Sequence, residues 1–279
     1  MAIALALTAA ASWGLADFLA GLASRRVSVP IVLLLVEGGG LVVITLIALA
    51  SGSSFFGDPQ DFWSAIAGGL SGVLGLGCFY RALAIGTMSV VAPISAAGVA
   101  LPVVVGIATG NRPSPIAAAG LVSIVAGVVL AAREQHDDAA AAAAGRTAIL
   151  LALLSALGFG GFFVLTDAPA DASVPWTLVC ARAAALPFVA VVILRGRATW
   201  PSARLGTGIA AVGCIDLLAT SLIAIAQTKG DLSIVSVLGG MYPVATVMLA
   251  AAVLHERVRP PQVLGIVLAL AGVGAVAAG

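Results

Sequence analysis

The chain has 279 residues, 61% of them hydrophobic and only 9% charged, where a soluble domain carries roughly 25% charged residues. Thirteen bases against twelve acids leave a net charge of +1, so the composition offers neither a basic nucleic-acid patch nor an acidic tail for a cationic partner. With a mean hydropathy of +1.18, the partner the chain is built for is the lipid bilayer.

A membrane-crossing helix takes about 20 apolar residues. Charges and turn residues divide the chain into ten such stretches, 2–23, 30–51, 62–85, 88–109, 114–132, 147–166, 175–194, 205–228, 232–254 and 262–278. The first contains an A-x-A-like site but lacks a basic n-region and runs straight into Asp17-Phe18, so it reads as a span rather than a cleaved leader. The longest connection, Arg133 to Arg146, is a linker between segments 1–132 and 147–279. Cys78, Cys180 and Cys214 sit in apolar runs without a second cysteine or a histidine at ligand spacing, and are expected to be small buried hydrophobes. The 33 glycines suit a membrane bundle, where small residues let helix backbones approach.

The second half repeats the first. Residues 82–91, ALAIGTMSVV, align with 226–235, AQTKGDLSIV, at an offset of 144, and Gly120 and Gly127 align with Gly265 and Gly272 at an offset of 145. Each half then holds five spans, and an odd number of crossings makes the second half enter the membrane from the opposite face. The expected fold is an all-α membrane protein of ten transmembrane helices, in two inverted-topology five-helix repeats around a central cavity. Two similar halves that exchange conformations convert an outward-facing cavity into an inward-facing one.

The residues that carry this pattern also resemble a family. Ala84-Ile85-Gly86-Thr87-Met88-Ser89-Val90-Val91-Ala92-Pro93 with Leu101-Pro102, the second copy Tyr242-Pro243 … His255-Glu256-Arg257, and the opening Trp13-Gly14 with Asp17-Phe18 are similar to the EamA domains of the drug/metabolite transporter superfamily. The resemblance implies a cavity lined chiefly by helices 1, 3, 4, 6, 8 and 9, and it implies export. It departs at Asn111, where the family often has glutamate, and at His255, which takes a glycine position.

Four ionisable groups fall inside spans, where each costs roughly 2.5–3.5 kcal/mol: Asp17, Glu37, Arg182 and Asp216. At about 1.5 Å per residue, Arg182 and Asp216 reach similar depths on consecutive spans. They form either a structural ion pair or a site for proton coupling or a cationic substrate group. Asp17 and Glu37 fall near the arginine-rich face, where Arg25, Arg26 and Arg81 are expected to compensate them. Asp17 has the better functional claim, standing one turn after Trp13 on the same helix face. Tyr80, Phe79, Phe159, Phe162 and Tyr242 are candidate cavity walls, and Ser89, Ser95, Ser233 and Ser236 candidate hydrogen-bonding groups. Pro93, Pro102 and Pro243 are expected to bend helices 4 and 9 as paired gating elements. Trp63, Trp176 and Trp200 read as interfacial anchors.

Ten of the thirteen bases lie on connections after odd-numbered spans, which predicts both termini outside. The arginine-rich, alanine-rich composition suggests a bacterial inner membrane. The chain is expected to be a permease that exports a small organic metabolite or drug-like solute by alternating access, with or without proton coupling. No phosphate-binding loop, catalytic cluster, metal set or cofactor motif is present in the sequence, so ATP-driven transport and enzyme chemistry are not expected. The competing class is a lipid-handling or structural membrane protein.

Overall fold

Leucine, valine, isoleucine and alanine on every side of a segment leave no polar face, and a backbone in lipid must then satisfy its own hydrogen bonds as helix. The computed structural model describes residues 1–110, 112–131, 139–196, 198, 200–227, 229, 238–239, 241–256 and 260–278, the side chains of 139–142, 223–224 and 227 excepted. Among the described residues every regular element is helical. In chain order these are α1 (Ala2–Ser24), α2 (Val29–Ala50), α3 (Pro59–Ile85), α4 (Met88–Ala96), a 3-10 turn (Ala97–Val99), α5 (Ala100–Ala108), α6 (Pro115–Ala131), α7 (Ala139–Arg195), α8 (Ala203–Gln227), α9 (Tyr242–Leu254) and α10 (Pro260–Ala278). Seven stretches are long and apolar enough to cross a membrane, with α6 and α9 as shorter apolar helices.

Two elements depart from the sequence expectation. Residues 167–174 were expected to be a connection, yet α7 runs without a gap through 57 residues. A straight helix of that length would reach about 85 Å, against a hydrocarbon core of about 30 Å. Ser173, at φ −165° and ψ 100°, breaks it into two helices, two residues before Pro175, whose missing N–H suits the start of a new helix. The second departure is at the prolines. Of Pro93, Pro102 and Pro243, only Pro93 lies inside a helix, α4. Pro102 and Pro243 stand in the first turns of α5 and α9, where no intrahelical N–H bond is lost. They therefore begin helices after a break and do not kink intact ones.

Every residue of α4 is buried, whereas none of α5 is, so the chain leaves the core for the lipid-facing surface at the 3-10 turn. Around α4 pack α1, α3, the first half of α7, α9 and α10. The largest buried side chains, Phe79, Ile31, Leu83, Met88 and Ile94, fill the space between α2, α3 and α4.

Glycine sets the closest helix contacts. On α6 and α10, Gly120 lies against Gly272, and Gly127 against Gly265. One series rises as the other falls, so the two helices are antiparallel, and a Cβ at any of the four would run into the facing backbone. Ser123, between the two α6 glycines, donates its hydroxyl to the Leu268 carbonyl at 2.8 Å. Large apolar side chains such as Leu194, at 84% exposure, and Val122, at 71%, cover the outside, as a surface that faces lipid requires. Trp63 and Trp200 are exposed near helix ends, and Trp176 Nε1 donates to the Ser53 carbonyl at 2.9 Å beside the Phe55 ring. Of the cysteines, only Cys180 is buried; Cys78 is half-buried and Cys214 is exposed, a correction explained by lipid, which solvates a thiol-bearing apolar face as readily as a core does.

Candidate functional site

Three membrane-embedded charges meet on three helices. Arg182 of α7 donates Nη1 to Glu37 Oε2 of α2 at 3.3 Å and Nη2 to Asp216 Oδ2 of α8. The guanidinium and the glutamate are almost enclosed, at 11% and 12% side-chain exposure, while Asp216 remains open at 29%. Gly40, one turn after Glu37, makes the room: a Cβ there would strike the guanidinium. The Arg182–Asp216 encounter was anticipated. The placement of Glu37 among Arg25, Arg26 and Arg81 was not correct, because depth counted from a span end ignores which face of α2 looks inward.

Asp17 stands apart from this cluster. It is half-buried on α1 and has no hydrogen-bond or ion-pair partner among the described residues, and the expected compensation by arginines at the mouth is likewise corrected. Tyr80, Tyr242 and Asp216 lie near it. Trp13, one turn earlier, meets Tyr242 edge-to-face with ring centroids 6.2 Å apart. The two rings come together because Gly14 lets α1 approach the start of α9, where Thr246 donates its hydroxyl to the Gly14 carbonyl at 3.3 Å. Asp17, Trp13, Tyr80 and Tyr242 thus surround one corner of the bundle, with Asp216 at its edge. One cation stands against three carboxyl groups in this region.

Ser89 lies elsewhere. Its hydroxyl and N–H both donate to Glu256 at 2.9 Å, and the Met88 N–H donates to the same carboxylate at 3.0 Å. Glu256 thereby caps α4 from beyond α9, at the helix end where a carboxylate is electrostatically favoured. Arg25, at the end of α1, pairs with it at 3.6 Å and reaches the Leu83 carbonyl at 3.5 Å. His255 aims the carboxylate there by adopting φ 54°, a conformation that costs a non-glycine residue roughly 1–2 kcal/mol. Phe79, Phe159 and Phe162 pack α3 against α7, and Ser95 donates to the Ala152 carbonyl within the core. Ser233 and Ser236 lie outside the described residues. The described residues contain no cluster of histidine, cysteine or acids fit to hold a metal.

The model of the EamA-like transporter family matches this chain twice, over residues 1–133 and 146–278. The chain belongs to the EamA-like transporter family. EamA-like proteins are transporters of the drug/metabolite type, and the resemblance noted in the sequence is thereby shown. A crystal structure of a protein 19% identical superposes with a TM-score of 0.67, over 99% of this chain and 96% of the other, which speaks for the fold alone. No curated protein matches.

The two EamA segments are offset by 145 residues. Glu37 and Arg182 are separated by the same 145, as are Ser123 and Leu268. Corresponding positions of the two copies therefore touch each other at two places. The sequence showed an offset of 144 around residues 82–91 and 145 only farther on, so it did not single out the Glu37–Arg182 pair. Nothing local pointed to Glu256, whose contacts lie 167 and 168 residues away.

Proposed function

We propose that this protein is a secondary transporter, ten helices in two inverted repeats, that moves a small organic solute by alternating access, with Asp17 as the group that takes up a proton or a cationic substrate moiety. Counting α4 and α5 as one crossing and α7 as two gives five crossings per repeat. The antiparallel contact of α6 with α10 supports the inversion, because these are the fifth helices of their copies. If the copies are inverted, positions that touch across the axis lie at equal distances from opposite faces, which puts Glu37 and Arg182 at the bilayer midplane, where transporters of this build bind their cargo.

The observation that carries the reading is the division of labour among the charges. Arg182 is committed to Glu37 and Asp216, whereas Asp17 has no partner among the described residues and stands near aromatic rings. An unpaired carboxylate in lipid is costly unless it is protonated or meets a cation, and alternation between those two states is how proton-coupled exchange works. The break at Ala97–Val99 and the start of α9 at Tyr242 fall at corresponding points of the two repeats, which supports paired gating elements near Pro93, Pro102 and Pro243. Export from a bacterial cytoplasm fits the family.

A thermal-shift screen of the purified protein against amino acids, organic cations and sugars identifies a ligand, because binding to the folded state alone raises its stability. Asp17→Asn is expected to fold and melt like the wild type but to lose transport of that ligand in proteoliposomes. Wild-type transport in the variant would overturn the assignment of Asp17.

A further inference from the structure

Two apolar grooves flank α3 on the outer surface of the bundle. The first, of about 310 Å³, lies between α2, α3 and the second half of α7, with Leu33, Gly77 and Phe188 among its walls. The second, of about 300 Å³, lies between α3 and the first half of α7, beside Leu154 and Leu157. Leu74 and Cys78 border both, so the two grooves join across one face of α3. Among the described residues, the sole charged one on either wall is Arg81.

Arg81 stands one turn before the end of α3, exposed, with no ion-pair or hydrogen-bond partner among the described residues. Arg195, in the last turn of α7, follows the groove-lining Val192 by three residues and is also exposed. An unpaired guanidinium at the rim of a lipid-facing groove has a natural counter-ion in a lipid phosphate, and basic sites between helices near a membrane face select anionic headgroups. We propose that these joined grooves hold the acyl chains of one anionic phospholipid, whose headgroup phosphate rests on Arg81 and Arg195. The site is separate from the acidic corner and does not depend on what the cavity carries.

Native mass spectrometry of the purified protein, offered phosphatidylglycerol and phosphatidylethanolamine with matched acyl chains, tests this. The wild type is expected to retain phosphatidylglycerol about fivefold more strongly per arginine engaged. Arg81→Gln/Arg195→Gln, with unchanged melting in lipid-free detergent, is expected to bring the two lipids close to parity. Gly77→Leu fills the first groove, since a Cβ there meets only Leu33 Cδ1 at 3.4 Å, and is expected to weaken both lipids. Parity in the wild type, an undiminished preference in the double variant, or a dimer that Gly77→Leu dissociates would each overturn the proposal, the last by assigning the grooves to a second copy of the chain.

Discussion

Arg182 offers its guanidinium to two carboxylates that otherwise have no cationic partner among the described residues, so its removal leaves Glu37 and Asp216 facing each other in the membrane. Arg182→Met is expected to destabilise the protein by about 3–5 kcal/mol, read as a lowered thermal midpoint in detergent. The triple change Glu37→Gln, Arg182→Met, Asp216→Asn is expected to recover most of that loss, because no uncompensated charge remains. Asp17→Asn should leave the midpoint where it is, and this contrast separates the scaffold of charges from the group that works. Part of this was legible in the sequence: Arg182 and Asp216 could be brought together by counting residues along consecutive spans. Glu37 could not, since the same counting gives depth and says nothing of azimuth around α2. Ser89 was equally hidden, because its hydroxyl looked free until the chain brought Glu256 to it from the other repeat.

Among the elements, α4 is the one that most needs an account, being buried along its whole length and broken at Ala97. Its N-terminus is held by Glu256 of one repeat and, through that carboxylate, by Arg25 of the other. Loss of the negative charge removes the ion pair and weakens three hydrogen bonds while keeping an acceptor. Glu256→Gln is therefore expected to loosen this end of the bundle, which would appear as faster labelling of a cysteine placed at Ser89 by a membrane-permeant thiol reagent, relative to the same cysteine with Glu256 intact and measured in a background lacking the three native cysteines. The helical character of α4 was plain from its apolar run, but its burial was not, for α5 is just as apolar and lies on the surface. In lipid, hydropathy distinguishes membrane from water and does not distinguish inside from outside of the protein.

At the scale of the whole molecule, arginine is distributed unevenly. Arg25, Arg81 and Arg195 close the end where α1, α3 and α7 finish, while Asp58, Asp61, Asp167 and Asp171 lie toward the other end, near the Ser53–Trp176 contact. The positive end is expected to face the cytoplasm. A reporter fused after Gly279 should then show periplasmic enzyme activity and no cytoplasmic fluorescence, and the converse pattern would invert the orientation. Two-fold repetition and membrane residence were both readable from the sequence, the first because four motif residues recur at one offset and two glycines at the next, the second because the charges are so few. The meeting of Glu37 with Arg182 has a consequence for ancestry. Were the molecule a dimer of identical five-helix chains, a residue on the symmetry axis would face its own copy, and like charges would repel there. Attraction at that point requires two copies free to change separately, so this contact could arise only after the ancestral gene had been duplicated.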